Sequence, residues 1–422
     1  MISDRPVIGI DVAKDFCFYA AASPSGTPFL KPFKALNTKQ GLLSALGQIK
    51  KVEETFSSKP VISLESTGHY SARIVHFFIK QGFEVYLINP LISHSIKNSV
   101  VRKVKTDSVD AFELAKLLFL QDFHTTYIPS DAFANLKILT RTRFQLANQR
   151  TTLLNQLVAA IEQIAPLFPK VLNPASLTAL TLLTTFTAPS EWLKEVNQQA
   201  ILSMLETLPR KGKNYGEKKY EALLDCARDA EVTGIDLMAN VTTVQVYANG
   251  VLFMDHQLKA LDNQIDEVAK QLPEFILLKS IPGIGAILAS LILGEIGDIN
   301  RFTNAKQLVA YCGMDPSVRQ SGNYVGTKNR VTKRGSPFLR RSLYIVATTA
   351  IRKNAKGALV NSVIYDYYQK KIQNKTRKQS LGAVMNKLLR IIFSVLKNKQ
   401  AFHVITSDEQ VLLYQNKRKN AA

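Results

Sequence analysis

The first 125 residues alternate short apolar runs with amphipathic segments, and this order constrains the fold more than any other feature of the sequence. Apolar runs predict strands over residues 7–10, 16–22, 29–33, 61–64 and 84–88, and amphipathic segments predict helices over 38–56, 71–81 and 107–120. A three-strand meander that continues as alternating strands and helices is typical of an α/β domain with parallel strands. We expect the first and fourth strands to be neighbours, with the last helix packed over them.

The chain after Pro129 is predicted to be almost wholly helical. Leu139, Leu146 and Leu153 recur every seven residues, which fits a coiled-coil-like helix and fits an ordinary core helix equally well. A further long helix is predicted over residues 244–272, and an apolar helix over 286–296. The predicted domains are therefore 1–128, a helical middle over 129–274, and 275–422.

The charge balance favours a polyanionic partner. Fifty-four Lys and Arg residues against 33 Asp and Glu leave a net charge of +21, which suits nucleic acid or an acidic membrane surface. We expect no membrane association, because the most apolar stretch, residues 286–293, is far shorter than the ~20 residues of a spanning helix, and the first residues lack the apolar run of a secretory signal. Three scattered cysteines without a CxxC pair fit a reducing cytoplasm and exclude a disulfide framework.

A basic, acid-free window marks the C-terminal part. Residues 316–365 contain ten Lys and Arg residues and no Asp or Glu, so this segment is a candidate phosphate-contacting surface. The residues that we expect to contact nucleic acid here are Arg319, Lys328, Arg330, Lys333 and Arg334. Lys105, beside the acidic residues described next, is a further candidate.

Four carboxylates lie at the ends of predicted elements. Asp11 ends the first strand, Glu65 ends the fourth, and Asp107 and Asp110 share one face at the start of a helix. Such a group needs a cation among its charges, and oxygen-only ligands suit Mg²⁺, or Mn²⁺, rather than zinc. Each residue taken alone also fits a capping role. The segment around Asp11 resembles the phosphate loop of a sugar-kinase or actin-like fold as well, but the second glycine-rich loop of that fold is missing.

Two further motifs allow two interpretations each. Gly283 and Gly285, in Ile281-Pro-Gly-Ile-Gly285, fit a helix-hairpin-helix turn whose N–H groups hold a DNA phosphate, or a plain helix–helix connector. Ser321 precedes Gly322, where a serine is usually a turn residue. Nearby basic residues would neutralise a phosphodiester for attack by its hydroxyl.

Together these residues resemble the bacterial insertion-sequence transposases that combine a RuvC-like "DEDD" domain with a C-terminal serine transposase domain, a family related to the pilin-gene inversion recombinases. The family's acidic tetrad falls on Asp11, Glu65, Asp107 and Asp110. Its C-terminal pattern resembles the segments 281–285, 295–299, 301–302, 311–316, 320–322 and 332–335. Its nucleophilic serine falls on Ser321, with Ser317 and Ser336 as rivals outside the Gln-Ser-Gly position.

The resemblance implies an RNase H/RuvC-like N-terminal domain, a coiled-coil-like helical middle and a mostly helical C-terminal domain. It implies strand exchange between donor and target double-stranded DNA through a covalent serine–DNA intermediate, with Mg²⁺ on the tetrad and a guide (bridge) RNA that selects the target. It further implies a homo-dimer or homo-tetramer at the bacterial nucleoid. A hydrolytic RuvC-like endonuclease or junction resolvase is the alternative, and a non-catalytic nucleic-acid-binding protein is a third interpretation.

Overall fold

A computed structural model describes residues 4–66, 68, 70–88, 90, 107–120, 126–206, 214–317, 320–321, 324–325 and 331–404. The chain divides into two compact units, Met1–Ile128 and Pro129–Ala422. The second unit holds two hydrophobic cores, and the border that the sequence predicts between residues 274 and 275 remains a prediction.

The first unit contains a five-stranded mixed sheet. Its strands are Val7–Val12 (β1), Phe16–Ala22 (β2), Pro28–Leu36 (β3), Val61–Glu65 (β4) and Glu84–Ile88 (β5), and its helices are Lys39–Phe56 (α1), Tyr70–Lys80 (α2) and Asp107–Leu120 (α3). The strand order is β3-β2-β1-β4-β5. β1 pairs with β4, and β4 with β5, in parallel, whereas β1, β2 and β3 form an antiparallel meander. The predicted order of elements and the contact between the first and fourth strands are confirmed.

The two faces of the sheet are covered by different helices. Ile8 and Ile10 of β1 belong to a core that includes residues of α1 and α2, whereas Val7 belongs to a core built with α3. Successive side chains of a strand point to opposite faces, so this alternation assigns α1 and α2 to one face and α3 to the other. The first unit is therefore a three-layer α/β arrangement, which is consistent with the predicted RuvC-like domain.

The second unit is mostly helical. Its helices are Asp131–Ile164 (α4), Phe168–Val171 (α5), Leu177–Thr185 (α6), Pro189–Trp192 (α7), Glu195–Glu206 (α8), Tyr215–Thr233 (α9), Met238–Ala269 (α10), Pro273–Lys279 (α11), Ala286–Ile296 (α12), Ala305–Cys312 (α13), Pro337–Ala350 (α14), Ser362–Ile372 (α15) and Arg377–Asn398 (α16), with a 3-10 turn at Ile299–Arg301. A two-stranded sheet joins Gln320–Ser321 (β6) to Tyr324–Val325 (β7).

The two long helices α4 and α10 pack against each other in opposite directions. Arg143 forms a bidentate ion pair with Asp262, and Arg150 forms one with Asp255. The two arginines lie seven residues apart on α4, and their aspartate partners lie seven residues apart in the reverse order on α10. This is the register expected for two antiparallel helices with a heptad pattern. The leucine repeat of α4 therefore has its partner within the same chain.

This helical pair connects two hydrophobic cores. The first core combines the C-terminal half of α4 and the N-terminal half of α10 with α5 to α9, and contains Trp192. The second combines the opposite ends of the pair with α11 to α16. Helix α16 is long and apolar enough, by length and composition, to cross a membrane. Because its apolar residues, among them Leu388 and Ile392, are fully buried in the second core, it packs as a core helix of this unit.

Candidate active site

Asp11 and Glu65 end two neighbouring strands on the same face of the sheet. The parallel register pairs Gly9 with Ser63, and the two acidic residues each lie two positions further along. Ser63 faces α3, because its Oγ donates a 2.7 Å hydrogen bond to the Leu114 carbonyl oxygen. Residues two apart in a strand share a face. Asp11 and Glu65 therefore lie on the α3 face at the carboxyl ends of β1 and β4, both half-buried.

Helix α3 brings its first turn to the same end of the sheet. A Cβ atom added to Gly9 would lie 1.9 Å from the Ala111 carbonyl oxygen, so α3 crosses β1 in direct contact with the strand backbone. At the other end of α3, the Phe119 ring is the nearest group to a Cβ added at Gly26, 3.8 Å away, in the turn beside the amino end of β1. The helix thus runs antiparallel to β1. Its first turn, with the half-buried Asp110, extends toward the carboxyl ends of the strands.

The donor set at this edge fits a hard divalent cation. Asp107 lies one turn before Ala111, and the structure describes its backbone alone. The four positions offer carboxylate oxygens only, which suit Mg²⁺ or Mn²⁺. Among the side chains that the structure describes, no group of three or more His, Cys, Asp or Glu residues is close enough to hold a metal ion. The fold brings the four positions to one edge, and their joint role as metal ligands remains a prediction.

In the second unit, residues 313–316 and 331–335 run side by side, and we call this pair of segments the basic stem. The Thr332 backbone N–H donates to the Asp315 carbonyl oxygen at 3.0 Å, and its hydroxyl donates to the Asp315 carboxylate at 2.6 Å. The Lys333 N–H donates to the Gly313 carbonyl oxygen at 3.1 Å. Lys333 and Arg334 are both exposed. The stem therefore holds two predicted phosphate-contacting residues on an ordered backbone.

Two glycines allow the two segments of the basic stem to lie in direct backbone contact. A Cβ atom at Gly335 would lie 2.2 Å from the Tyr311 carbonyl oxygen, and one at Gly313, whose φ is +67°, would lie 2.8 Å from the Arg334 backbone nitrogen. The Arg340 guanidinium closes the arrangement by donating to the Gly335 carbonyl oxygen at 2.8 Å. These contacts explain in physical terms why glycine occupies both positions.

Ser321 lies on a β-hairpin that continues from the basic stem. Pro316 and Val331 form an antiparallel bridge, and beyond it Ser321 of β6 pairs with Tyr324 of β7. The structure describes the backbone of Ser321 and not its side chain. Its role as nucleophile remains a prediction. Four residues that we expect to contact phosphate lie outside the described residues, namely Lys105, Arg319, Lys328 and Arg330.

A buried carboxylate links the long helix α4 to Ser336, the residue directly after the basic stem. The Glu295 side chain is fully buried and accepts hydrogen bonds from Arg141 Nε at 2.5 Å, from Arg141 Nη2 at 2.9 Å and from Ser336 Oγ at 2.7 Å. This interaction raises the pKa of the Arg141 guanidinium. Ser336 also caps α14 by accepting from the Leu339 N–H. Sequence reasoning missed this pair, because Arg141 and Glu295 are 154 residues apart and no local pattern links them.

The loop between α11 and α12 joins two helices, as both interpretations of the sequence expect, a helix-hairpin-helix turn and a plain connector. Gly283 has a φ of +104° and a Cβ there would lie 3.3 Å from the Ala350 Cβ, so one side of the loop packs against α14. The buried Asn361 side chain donates to the Pro282 carbonyl oxygen at 3.2 Å. A Cβ atom at Gly285 would have no neighbour within 4 Å. The open side at Gly285 leaves room for the predicted phosphate contact.

Comparison with known proteins finds two matching family models, one in the N-terminal part of the chain and one in the C-terminal part. Residues 8–166 match the transposase family model DEDD_Tnp_IS110, and residues 276–361 match the model described as "Transposase IS116/IS110/IS902 family". The chain therefore belongs to the IS110/IS116/IS902 transposase family. The first match covers the sheet edge with Asp11, Glu65, Asp107 and Asp110, which we call the acidic edge, and the whole of α4. The second covers residues 280–285, which we call the Gly283 loop, and the basic stem.

Two relatives align over most of the chain, and a third aligns over about a third of it. The IS116 uncharacterized 44.8 kDa protein of Streptomyces clavuligerus is 23% identical over 94% of this chain and 96% of its own length. The pilin gene-inverting protein of Moraxella bovis is 25% identical over 94% of this chain and 98% of its own length. A transposase for the element IS1111A of Coxiella burnetii is 26% identical over 36% of this chain and 41% of its own length. The family indicates DNA recombinase activity, and a domain of the DEDD type suggests use of a divalent metal.

Proposed function

We propose that this transposase cuts and rejoins double-stranded DNA through a covalent link to Ser321, with Mg²⁺ held by Asp11, Glu65, Asp107 and Asp110. The observation that carries the proposal is the alignment of Asp11 and Glu65 at the ends of two paired strands, at the end to which the first turn of α3 extends. Carboxylate oxygens are the ligands that Mg²⁺ prefers in proteins, which supports a metal-binding role for this edge.

The chemistry divides between the two units. Mg²⁺, when bound, would stabilise negative charge on the scissile phosphate. The Ser321 Oγ would attack the phosphorus, forming the Oγ–P bond as the bond from phosphorus to one deoxyribose oxygen breaks. The serine hydroxyl loses its proton, and the departing deoxyribose oxygen gains a proton. The hydroxyl of a second strand would then attack the same phosphorus, which forms the new phosphodiester bond as the Oγ–P bond breaks and Ser321 regains its proton.

The basic stem would hold the DNA for this step. Lys333 and Arg334 offer exposed cations on a backbone fixed by hydrogen bonds to Asp315 and Gly313, and Gly285 presents an open backbone at the start of α12. Contacts of this kind position the duplex and carry no sequence information. A bridge RNA, as the family resemblance implies, would then select the target by base pairing.

The acidic edge and Ser321 would meet across subunits, in a dimer that assembles into a tetramer through the helical middle. A pilin gene-inverting relative suggests that DNA inversion is one outcome of the same strand exchange. Because each subunit would give one half of an active site, an Asp11→Asn chain mixed with a Ser321→Ala chain should recover activity that neither shows alone.

The deciding experiment tests for protein covalently attached to DNA. Wild-type chain, guide RNA, donor DNA and target DNA are incubated with Mg²⁺, and denaturing gels are examined for protein–DNA adducts. Ser321→Ala should abolish the adduct, while Ser317→Ala, a nearby serine in the same window, should keep it. Free DNA ends without adduct in the wild type would instead establish the hydrolytic alternative, in which the carboxylates act without the serine.

A further inference from the structure

The turn between α15 and α16 carries a concentration of positive charge that the proposed active site does not use. Residues 361–404 contain nine Lys and Arg residues and a single acidic residue, Asp366. Six of these cations lie around the turn, and we call them the basic turn: Lys370, Lys371, Lys375, Arg377, Lys378 and Lys387. Lys371 and Lys387 are half-buried, and the other four are exposed.

Two of these lysines lie over one aromatic ring, and the charge of a third acts on one of them. The Lys387 Nζ lies 4.9 Å from the centre of the Tyr367 ring, and the Lys371 Nζ lies 5.2 Å from it. Burial, and then the charge of Lys370, lower the pKa of Lys387. In the part of the chain that the structure describes, none of the three lysines forms an ion pair with a carboxylate. The Tyr367 ring offsets some of the repulsion between the lysine ammonium groups but supplies no net negative charge.

The start of α16 adds to the positive field. Its first turn contains Arg377 and Lys378 and no acidic residue, whereas negative side chains are the ones that stabilise a helix amino terminus. The terminus is instead held by a capping box, in which Thr376 accepts from the Gln379 N–H. The charges of Arg377 and Lys378 therefore oppose the helix dipole. An anion bound at this end would relieve this unfavourable interaction and the repulsion among the neighbouring lysines.

We propose that the basic turn binds the phosphodiester backbone of a nucleic acid at a site separate from the Gly283 loop. The Gly283 loop meets the amino end of α15, where Asn361 contacts Pro282. The basic turn lies toward the other end of this helix. Tyr367, the ring beneath Lys371 and Lys387, is six residues or about 9 Å from Asn361, and the turn itself begins about 16 Å away, at 1.5 Å per residue. A nucleic acid is favoured over a membrane, because the apolar side of α16 is buried in the core and has no surface to insert.

This inference rests on the proposed function, because it gives the recombinase a second grip on its DNA or its guide RNA. Its test measures binding alone, in the Ser321→Ala background without Mg²⁺. The triple variant Lys370→Gln, Lys371→Gln and Lys387→Gln is compared with a control, Lys194→Gln, Lys218→Gln and Lys259→Gln, which removes the same net charge at exposed positions elsewhere. Affinities for a 40-base-pair DNA duplex and for an RNA of equal length are measured as a function of salt.

The basic-turn variant should reduce the slope of log affinity against log salt by about 1 for each phosphate group that the protein no longer neutralises. Because about 0.9 counterion is released per phosphate, each lost phosphate contact should weaken binding at 0.1 M salt by roughly eightfold, taking 1 M salt as the reference. The control should keep the wild-type slope, and Lys→Arg substitutions at the three test positions should restore it. A larger effect on DNA or on RNA identifies which of the two the surface contacts.

Equal slopes for the basic-turn variant and the control, with both nucleic acids, would overturn the inference. That result leaves the proposed function intact, because the serine adduct is scored separately with Mg²⁺ and active protein. Conversely, a reduced slope in the basic-turn variant combined with no adduct in the wild type would support the surface and overturn the proposed chemistry. Equal melting temperatures of the two triple variants establish that the comparison is between folded proteins.

Discussion

Replacement of Glu295 by glutamine should destabilise the second unit measurably. The Glu295 carboxylate is fully buried and accepts three hydrogen bonds, two of them from Arg141. Removing one partner of a buried ion pair costs about 3–5 kcal/mol. Two features reduce this value: the Arg141 side chain is 37% exposed and keeps part of its hydration, and glutamine retains one acceptor oxygen. We therefore expect a loss of about 2–3 kcal/mol in the free energy of unfolding.

Differential scanning calorimetry, with Trp192 fluorescence as a second probe of the second unit, measures this loss. At about 2–4 °C per kcal/mol for a unit of this size, the melting temperature should fall by about 4–12 °C. The control is Asp225→Asn, whose exposed pair with Arg228 should contribute less than about 0.5 kcal/mol. A Glu295→Gln protein that melts at the wild-type temperature would refute the reasoning that the Glu295 carboxylate holds together α4, α12 and Ser336 at the end of the basic stem.

Two further predictions concern packing and titration. Gly9→Ala should lower the free energy of unfolding by about 3 kcal/mol or more and separate α3 from the sheet, because the added Cβ would lie 1.9 Å from the Ala111 carbonyl oxygen. The control is Gly47→Ala, on the open face of α1, which thermal melts should show to be neutral or stabilising by up to about 1 kcal/mol. Burial raises the pKa of Cys312 to about 12 from 9.0. The stability gained by burying this thiol in its protonated form is therefore complete below pH 9 and is lost as the pH rises toward 12. A thiol-specific reagent at about pH 8 should leave Cys312 unreacted until the protein unfolds. Rapid labelling of Cys312 in the folded chain, or a Gly9→Ala melt at the wild-type temperature, would contradict these expectations.

The first unit could be predicted from the sequence because its signals are local. Each strand has an apolar run and a turn, and Thr38 caps α1 as expected by accepting from the Gly41 N–H. The third strand extends to Leu36, beyond the predicted 29–33, although it contains two prolines. It lies at the edge of the sheet, where a missing N–H group is tolerated.

The second unit was predicted less completely because its decisive contacts join distant residues. The leucine repeat beginning at Leu139 predicted a helix but did not identify its partner. That partner, α10, is fixed by the ion pairs of Arg143 and Arg150 with Asp262 and Asp255, which are 119 and 105 residues away. Propensity and periodicity report on neighbours along the chain, and they contain no information on which distant charges will meet.

The candidate site shows the same division. Asp11 and Glu65 were placed correctly at the ends of adjacent strands, because strand order and alternation follow from local patterns. The basic stem could not be derived in this way. Its closure depends on Gly313 and Gly335, whose need for glycine becomes evident only when the backbone atoms of Arg334 and Tyr311 are seen against them. Sequence suggested Ser321 mainly through family resemblance, and its role awaits the adduct assay.

The most direct test of the central claim is the adduct yield of Asp11→Asn. This substitution removes one carboxylate charge from the acidic edge and preserves the size of the side chain, and Asp15→Asn, in the exposed turn after β1, is the matched control. If the acidic edge and the serine act on the same phosphorus, Asp11→Asn protein should bind DNA normally and form no covalent adduct with Mg²⁺, while Asp15→Asn behaves as wild type. A wild-type yield of adduct from Asp11→Asn would contradict the account.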